Sequence, residues 1–167
     1  MLIAHLPAGY ILTKTFQNRD NNYALLWLGL LGSVTPDFDL LYFYTIDNRQ
    51  TLHHEYLFHT PVFWLAVMAV AYCVGLIIVK QYKIDNYFFG MKLFFGGIFL
   101  HLILDTVAEH GIRWVYPFDE TMYYFMSIPR RYDWWLKSFV LHPYFALEVG
   151  ITFYALWIFF KSKRIRD

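Results

Sequence analysis

The sequence predicts an all-α integral membrane helical bundle, with about three long spans plus a short N-terminal helical hairpin, in a single membrane-embedded domain over residues 1–167. Three observations predict it. Hydrophobic residues make up 58% of the chain and charged residues only 16%, against about 25% charged in an ordinary soluble domain. Residues Pro61 to Val79 are nineteen consecutive positions without a charge, long enough as a helix to cross about 30 Å of hydrocarbon. Two further apolar stretches of similar length carry few ionisable groups, and four cations directly follow the later one.

Taken in order, Leu6 to Phe16 and Tyr23 to Val34 are apolar but too short to span unaided. The polar break Gln17 to Asn22 between them makes a hairpin that packs against the longer helices. Thr35 and Pro36 read as the cap and first position of another short helix, with Asp37 in its first turn. After Pro61 to Val79, a second span runs from about Asn86 to Asp105 and is polar only at Lys92, His101 and Asp105. A third runs from Phe139 to Phe160, with His142 and Glu148 inside it and Lys161, Lys163, Arg164 and Arg166 as its stop. The longest polar connection falls between these two spans, and residues 106–138 are expected to form a loop region covering the functional face. No cleavable leader is expected, because a positive n-region is missing.

Charge and cysteine content narrow the function classes. Fourteen Lys and Arg against thirteen Asp and Glu leave a formal charge of +1. No polyanion is implied, so nucleic acid is not expected as a partner; membrane lipids are. The single cysteine, Cys73, permits neither an internal disulfide nor a cysteine-based zinc site. If the five apolar segments alternate in direction, one side receives nine Lys and Arg with three acidic residues, a balance of +6. The other receives five and nine, a balance of −4. An excess of Lys and Arg marks the cytoplasmic side, which predicts a multi-pass cell-membrane protein with a cytoplasmic C-terminus. The acidic side then faces the periplasm or exterior.

All seven histidines fall on that acidic side, although histidine had no part in setting the topology. Ionisable groups near membrane depth are costly and tend to be paired or functional. In HLILD, His101 and Asp105 lie four residues apart, one helical turn, and two ligands at that spacing can grip one ion. The alternative is an imidazole that donates its ring N–H to the carboxylate in a polar bundle core. In HHEYLFHT, His54 and His59 precede the clearest span and can both point to the mouth of the bundle, with His53 left to solvent. PDFD adds Asp37 and Asp39, though acids in a first helical turn are also favoured by the macrodipole. His5 stands on the same face. Glu148 is open to roles as ligand, proton carrier or partner of Arg130 or Arg131, and His110 and His142 are unassigned.

With these residues in order (His5, then Pro36 to Asp39, His54 with His59, His101 with Asp105, and Pro117 with Phe118) the chain resembles the YdjM-like family of membrane-bound, metal-dependent hydrolases. That family's pattern has an early His, a PDxD, an HRGxTH, an HxxxD and a closing PF pair. Here the third motif keeps both histidines but has Glu55, Tyr56 and Phe58 where the family has Arg, Gly and Thr. The resemblance covers about residues 1 to 118. A looser likeness is to zinc-dependent phospholipase C and related single-strand nucleases, helical enzymes whose metal cluster also uses an HxxxD. Their additional late HxxxE or HxxxD is missing: Glu148 follows His142 by six residues.

The expectation is therefore a metal-dependent hydrolase at the outer membrane interface. His5, Asp37, Asp39, His54, His59, His101 and Asp105 are the candidate ligands of one or two divalent ions, Zn first, with Mn and Fe as alternatives. Asp39 or Glu55 serves as the candidate proton acceptor, and Arg130 and Arg131 as candidate binders of a phosphoester or lipid-like substrate. The rivals are a metal or proton transporter and a membrane scaffold whose ion is structural.

Overall fold

The computed structural model describes residues 3–17, 22–82, 84, 86–107, 111–129 and 131–164. Helices α1 (His5–Phe16) and α2 (Tyr23–Val34) form the N-terminal hairpin. A helix start leaves its first N–H groups without intrahelical acceptors, and Asn22 Oδ1 accepts two of them, from Ala24 at 3.0 Å and Leu25 at 3.4 Å. The 3₁₀ turn Pro36–Phe38 leads into α3 (Asp39–Thr45). Two more 3₁₀ turns, His53–Glu55 and Leu57–His59, precede α4 (Pro61–Tyr82) and α5 (Tyr87–Val107). Helices α6 (Trp135–Val140) and α7 (Tyr144–Arg164) follow. Among the described residues, extended backbone pairs only at the antiparallel bridge Ile112–Tyr123, so the fold is all-helical, as the composition and the long uncharged runs predict.

Among the described residues, three helices are long and apolar enough to cross a membrane: α4, α5 and α7 from Tyr144 to Ser162. Helix α2 passes the same test only together with Pro36–Thr45, and the pair is bent by 58° at the break. The third span differs from its expected range. It begins at Tyr144 rather than Phe139, because Pro143 lacks the N–H that a continuous helix would need there, and the chain turns at Leu141 to Pro143 between α6 and α7. The expected cap at Thr35 also differs. Its hydroxyl donates backward to the Leu31 carbonyl at 2.6 Å and makes no side-chain cap for the following turn.

Helix α5 is central and packs against α1, α2 and α4. Its contact with α4 is an apolar cluster of Trp64, Phe95, Ile98 and Leu102, joined by Ile112 from the following loop. Its contact with α2 is a close backbone approach: a Cβ on Gly97 would lie 2.7 Å from both the Gly29 carbonyl oxygen and the Ser33 nitrogen. Small residues at helix interfaces permit this in membranes, where packing rather than exclusion from water drives association. A Cβ on Gly96, the preceding residue, would face only a Leu12 methyl at 3.4 Å.

Helices α1 and α7 run side by side. The Ile3 N–H donates to Glu148 Oε2 at 2.6 Å at one end, Tyr10 packs edge-on to Phe159 at 6.2 Å in the middle, and Lys14 and Lys161 line one surface pocket at the other end. The outward faces of α4 and α7 expose Val70, Ile77, Phe153 and Phe160, as helices facing hydrocarbon do. The bundle thus has a lysine-bearing end and an end that carries the candidate site.

Candidate metal centre

Four separate segments meet at that second end. The first turn of α1 supplies His5, the turn after α2 supplies Asp37, the turns before α4 supply His53, His54 and His59, and the end of α5 supplies His101 and Asp105. Asp105 Oδ2 lies 2.9 Å from His101 Nε2, 3.6 Å from His54 Nε2 and 3.8 Å from His59 Nε2. Its other oxygen is 3.0 Å from His5 Nε2. Asp37 Oδ1 lies 3.6 Å from His101 Nε2, 3.7 Å from His53 Nε2 and 3.9 Å from His59 Nε2. His5 also stacks on His101 with ring centroids 3.7 Å apart. His59, His101 and Asp105 are fully buried, and Asp37 keeps 29% side-chain exposure at the mouth.

The backs of three imidazoles are fixed by three different acceptors. His101 Nδ1 donates to the Ser33 carbonyl at 2.8 Å, one of the last carbonyls of α2, which a helix end leaves without an intrahelical donor. The close Gly97 packing brings that carbonyl within reach. His54 Nδ1 donates to the Gly111 carbonyl at 3.0 Å. Gly111 has φ +57° and precedes the Ile112–Tyr123 bridge, so its left-handed backbone aims the oxygen back at the site. His59 Nδ1 donates to Asp39 Oδ2 at 2.7 Å. Carbonyls only accept, so the ring proton of His54 and of His101 sits on Nδ1. The neutral ring then turns the Nε2 lone pair inward.

That arrangement places electron-rich atoms against one another. Inward lone pairs on several rings face two carboxylates, and contacts such as 2.9 Å between His101 Nε2 and Asp105 Oδ2 require positive charge between the atoms. Protonating every ring is opposed by burial, which pushes the imidazole of His59 down to about 3 and that of His54 well below its usual range. One or two shared cations would satisfy all of these donors together. A tetrahedral ion with bonds of about 2.0–2.1 Å sets its ligands about 3.4 Å apart, within the 2.9–3.9 Å spread of these contacts. Three overlapping trios have their donor atoms within 4.8 Å of one another: His53, His54 and His59; His5, His101 and Asp105; Asp37, His59 and His101. The residues present therefore fit a divalent metal of the His/Asp class.

Not every expected residue stands in the inner ring. Asp39 is buried behind His59, the position of an outer carboxylate that orients a metal-binding imidazole. Glu55 pairs with Arg113 at 3.1 Å. Arg131 is exposed, and Arg130 and His110 lie outside the described residues. His142 accepts the Tyr144 N–H at 3.2 Å at the start of α7, while Glu148 is buried and accepts the Ile3 N–H. Residues the sequence reading missed are His53, which is drawn to the rim by Asp37 rather than left to solvent, and Arg113. The doubled histidine was the available signal for the first. No residue-type signal marks the Ser33 and Gly111 carbonyls.

No curated protein and no solved structure matches the chain. A family model described as YdjM inner membrane protein matches residues 1–164, extending the likeness carried by the His and Asp motifs through the last span. By that match the chain belongs to the YdjM inner membrane protein family.

Proposed function

We propose that the protein is a membrane-bound, metal-dependent hydrolase that acts at the outer membrane interface on a phosphoester or lipid-like substrate. One observation carries the reading: three imidazoles are fixed from behind by Ser33, Gly111 and Asp39 and turn their Nε2 atoms toward a common space beside Asp105 and Asp37. His54, His59, His101 and Asp105 would hold the ion, Zn by preference and Mn or Fe as alternatives, with His5, His53 and Asp37 completing a second position. Bound there, a divalent ion supplies Lewis acidity toward a phosphoryl or carbonyl oxygen and lowers the pKa of water from about 15.7 to about 7.

The chain's own part is orientation. Asp39 holds the His59 ring, and Glu55 holds Arg113, so each of the two carboxylates considered as proton acceptors already has a partner. Asp37 is the carboxylate of the cluster with the most exposure and stands where an incoming molecule would first meet the site. A site at the end of the spans reaches amphiphiles without extracting them. The same charge balance that predicts sidedness puts the site toward the periplasm or exterior and the C-terminus in the cytoplasm.

The test has two stages. Metal analysis of detergent-purified protein should find stoichiometric metal, which His101→Ala combined with Asp105→Ala removes. The loaded protein is then incubated with a lipid extract and with soluble phosphoesters, and mass spectrometry reads the products. Metal without products would refute the hydrolase. A rival reading, ion transport, draws support from the 58° break at Thr35–Pro36, since interrupted helices recur at transport sites. Flux through proteoliposomes without hydrolysis would establish the rival.

A further inference from the structure

Beside the histidine cluster lies a pocket of about 220 Å³ lined by Phe43, Arg49, Gln50, Thr51, Leu52, His53 and His54. Two of its walls are imidazoles of the cluster and none is a carboxylate. Arg49 has no carboxylate partner among the described residues, whereas Arg113 nearby in the fold is taken by Glu55. The Arg49 guanidinium instead lies 4.8 Å from the Tyr44 ring centroid, a contact that orients the group and leaves its N–H donors for a ligand.

The loop that presents Arg49 is held in a costly shape. Asn48 and Arg49 have φ of 50° and 64°; asparagine enters this left-handed region readily, whereas for Arg49 it costs about 1–2 kcal/mol. The surrounding bonds enforce it. Asp47 accepts the Thr51 N–H at 2.8 Å and the Thr51 hydroxyl at 3.3 Å, the Arg49 N–H donates to the Phe43 carbonyl at 3.1 Å, and the Gln50 N–H donates to that of Asp47 at 3.1 Å. Strain maintained in this way marks a position whose side chain is being aimed.

We infer that this pocket receives the phosphate group of a phosphoester, with Arg49 as the specificity-determining anchor and His53 and His54 forming the wall toward the metal centre. The inference rests on the hydrolase reading and names its substrate class. A guanidinium engages two oxygens at once. A carboxylate would have none left to present to the neighbouring centre, whereas a phosphate would. The adjoining helix α3 exposes Leu41 and Tyr44, and Ile46 directly after it is exposed as well, which suits an alkyl chain running from the pocket into the bilayer, so the phosphate can belong to a lipid or to a soluble ester.

The test is calorimetric titration of purified protein, with and without added Zn, using glycerol phosphate as the soluble probe and a short-chain phosphatidic acid as the lipid probe. Acetate and a short-chain diacylglycerol serve as the matched probes lacking phosphate. Arg49→Ala should weaken phosphate-probe binding about tenfold to a hundredfold, the loss expected for one charge-assisted contact, while metal content and thermal midpoint stay unchanged. Arg49→Lys should recover part of it. Binding of the lipid probe alone assigns the phosphate to a lipid, binding of both assigns it to either source, and each supports the pocket. Equal affinity of wild type and Arg49→Ala, no binding of either phosphate probe, or equal binding of acetate would overturn it. Metal content measured on the same samples separates this from failure of the hydrolase reading: a loaded protein indifferent to Arg49 refutes only the pocket, and an unloaded one that still binds phosphate through Arg49 refutes only the metal chemistry.

Discussion

Replacing Gly97 with Ala tests whether helix packing positions the candidate centre. The new Cβ would sit 2.7 Å from the Gly29 oxygen and the Ser33 nitrogen, both backbone atoms that cannot rotate away, and ordinary contact begins at 3.4 Å. Helices α2 and α5 must therefore separate by about 0.7 Å, the difference between those distances. Separation along the His101–Ser33 hydrogen bond, now 2.8 Å, would stretch it to about 3.5 Å, where little of the bond survives. Losing such an outer partner costs about 10- to 100-fold in metal affinity, and overpacking costs about 1–3 kcal/mol of stability. The assay is competition for Zn against a chelator of known affinity, run beside a thermal melt. Gly96→Ala is the control, since its Cβ meets only a flexible Leu12 methyl at 3.4 Å. A folded Gly97→Ala protein with wild-type Zn affinity would falsify the claim that this contact aims His101.

Asp39→Asn should weaken Zn binding about 10- to 100-fold, measured by the same competition, and a larger loss than for His59→Ala would mean that Asp39 does more than orient the ring. Gly111→Ala places a side chain at φ +57° and within 2.7 Å of the Tyr123 carbonyl carbon; it should destabilise the fold by at least about 1–2 kcal/mol and lower Zn affinity through His54, readable by melt and competition together. Glu148→Ala removes the buried acceptor of the Ile3 N–H and should lower the thermal midpoint, at a cost of about 1.5–3 kcal/mol for a bond to a charged group. A reporter fused to the C-terminus should be active only in the cytoplasm, and activity outside would reverse the proposed sidedness.

Helix types and the order of the candidate donors were legible because each has a local cause. An uncharged run of nineteen residues can be read without its neighbours, and so can a His and an Asp one turn apart. The misplaced start of the last span shows a local signal overruled: the apolar run from Phe139 continues through Pro143, but the missing N–H starts the helix anew at Tyr144. Long-range relations left less trace. Nothing in the residue types near Ser33 or Gly111 indicates that their carbonyls face His101 and His54, because a backbone oxygen is the same in every residue. Arg49 was likewise hidden, since its importance comes from the strained loop that carries it, whereas Arg130 and Arg131 drew notice by adjacency.

The donors of the proposed centre extend in sequence from His5 to Asp105, and the carbonyl behind His54 comes later still, from Gly111. A chain still emerging during membrane insertion, with α5 unfinished, lacks His101 and Asp105 and has only a loose handful of imidazoles to offer. Tight capture of an ion by the proposed centre would therefore belong to the finished molecule, and metal occupancy would serve as a stamp of correct assembly.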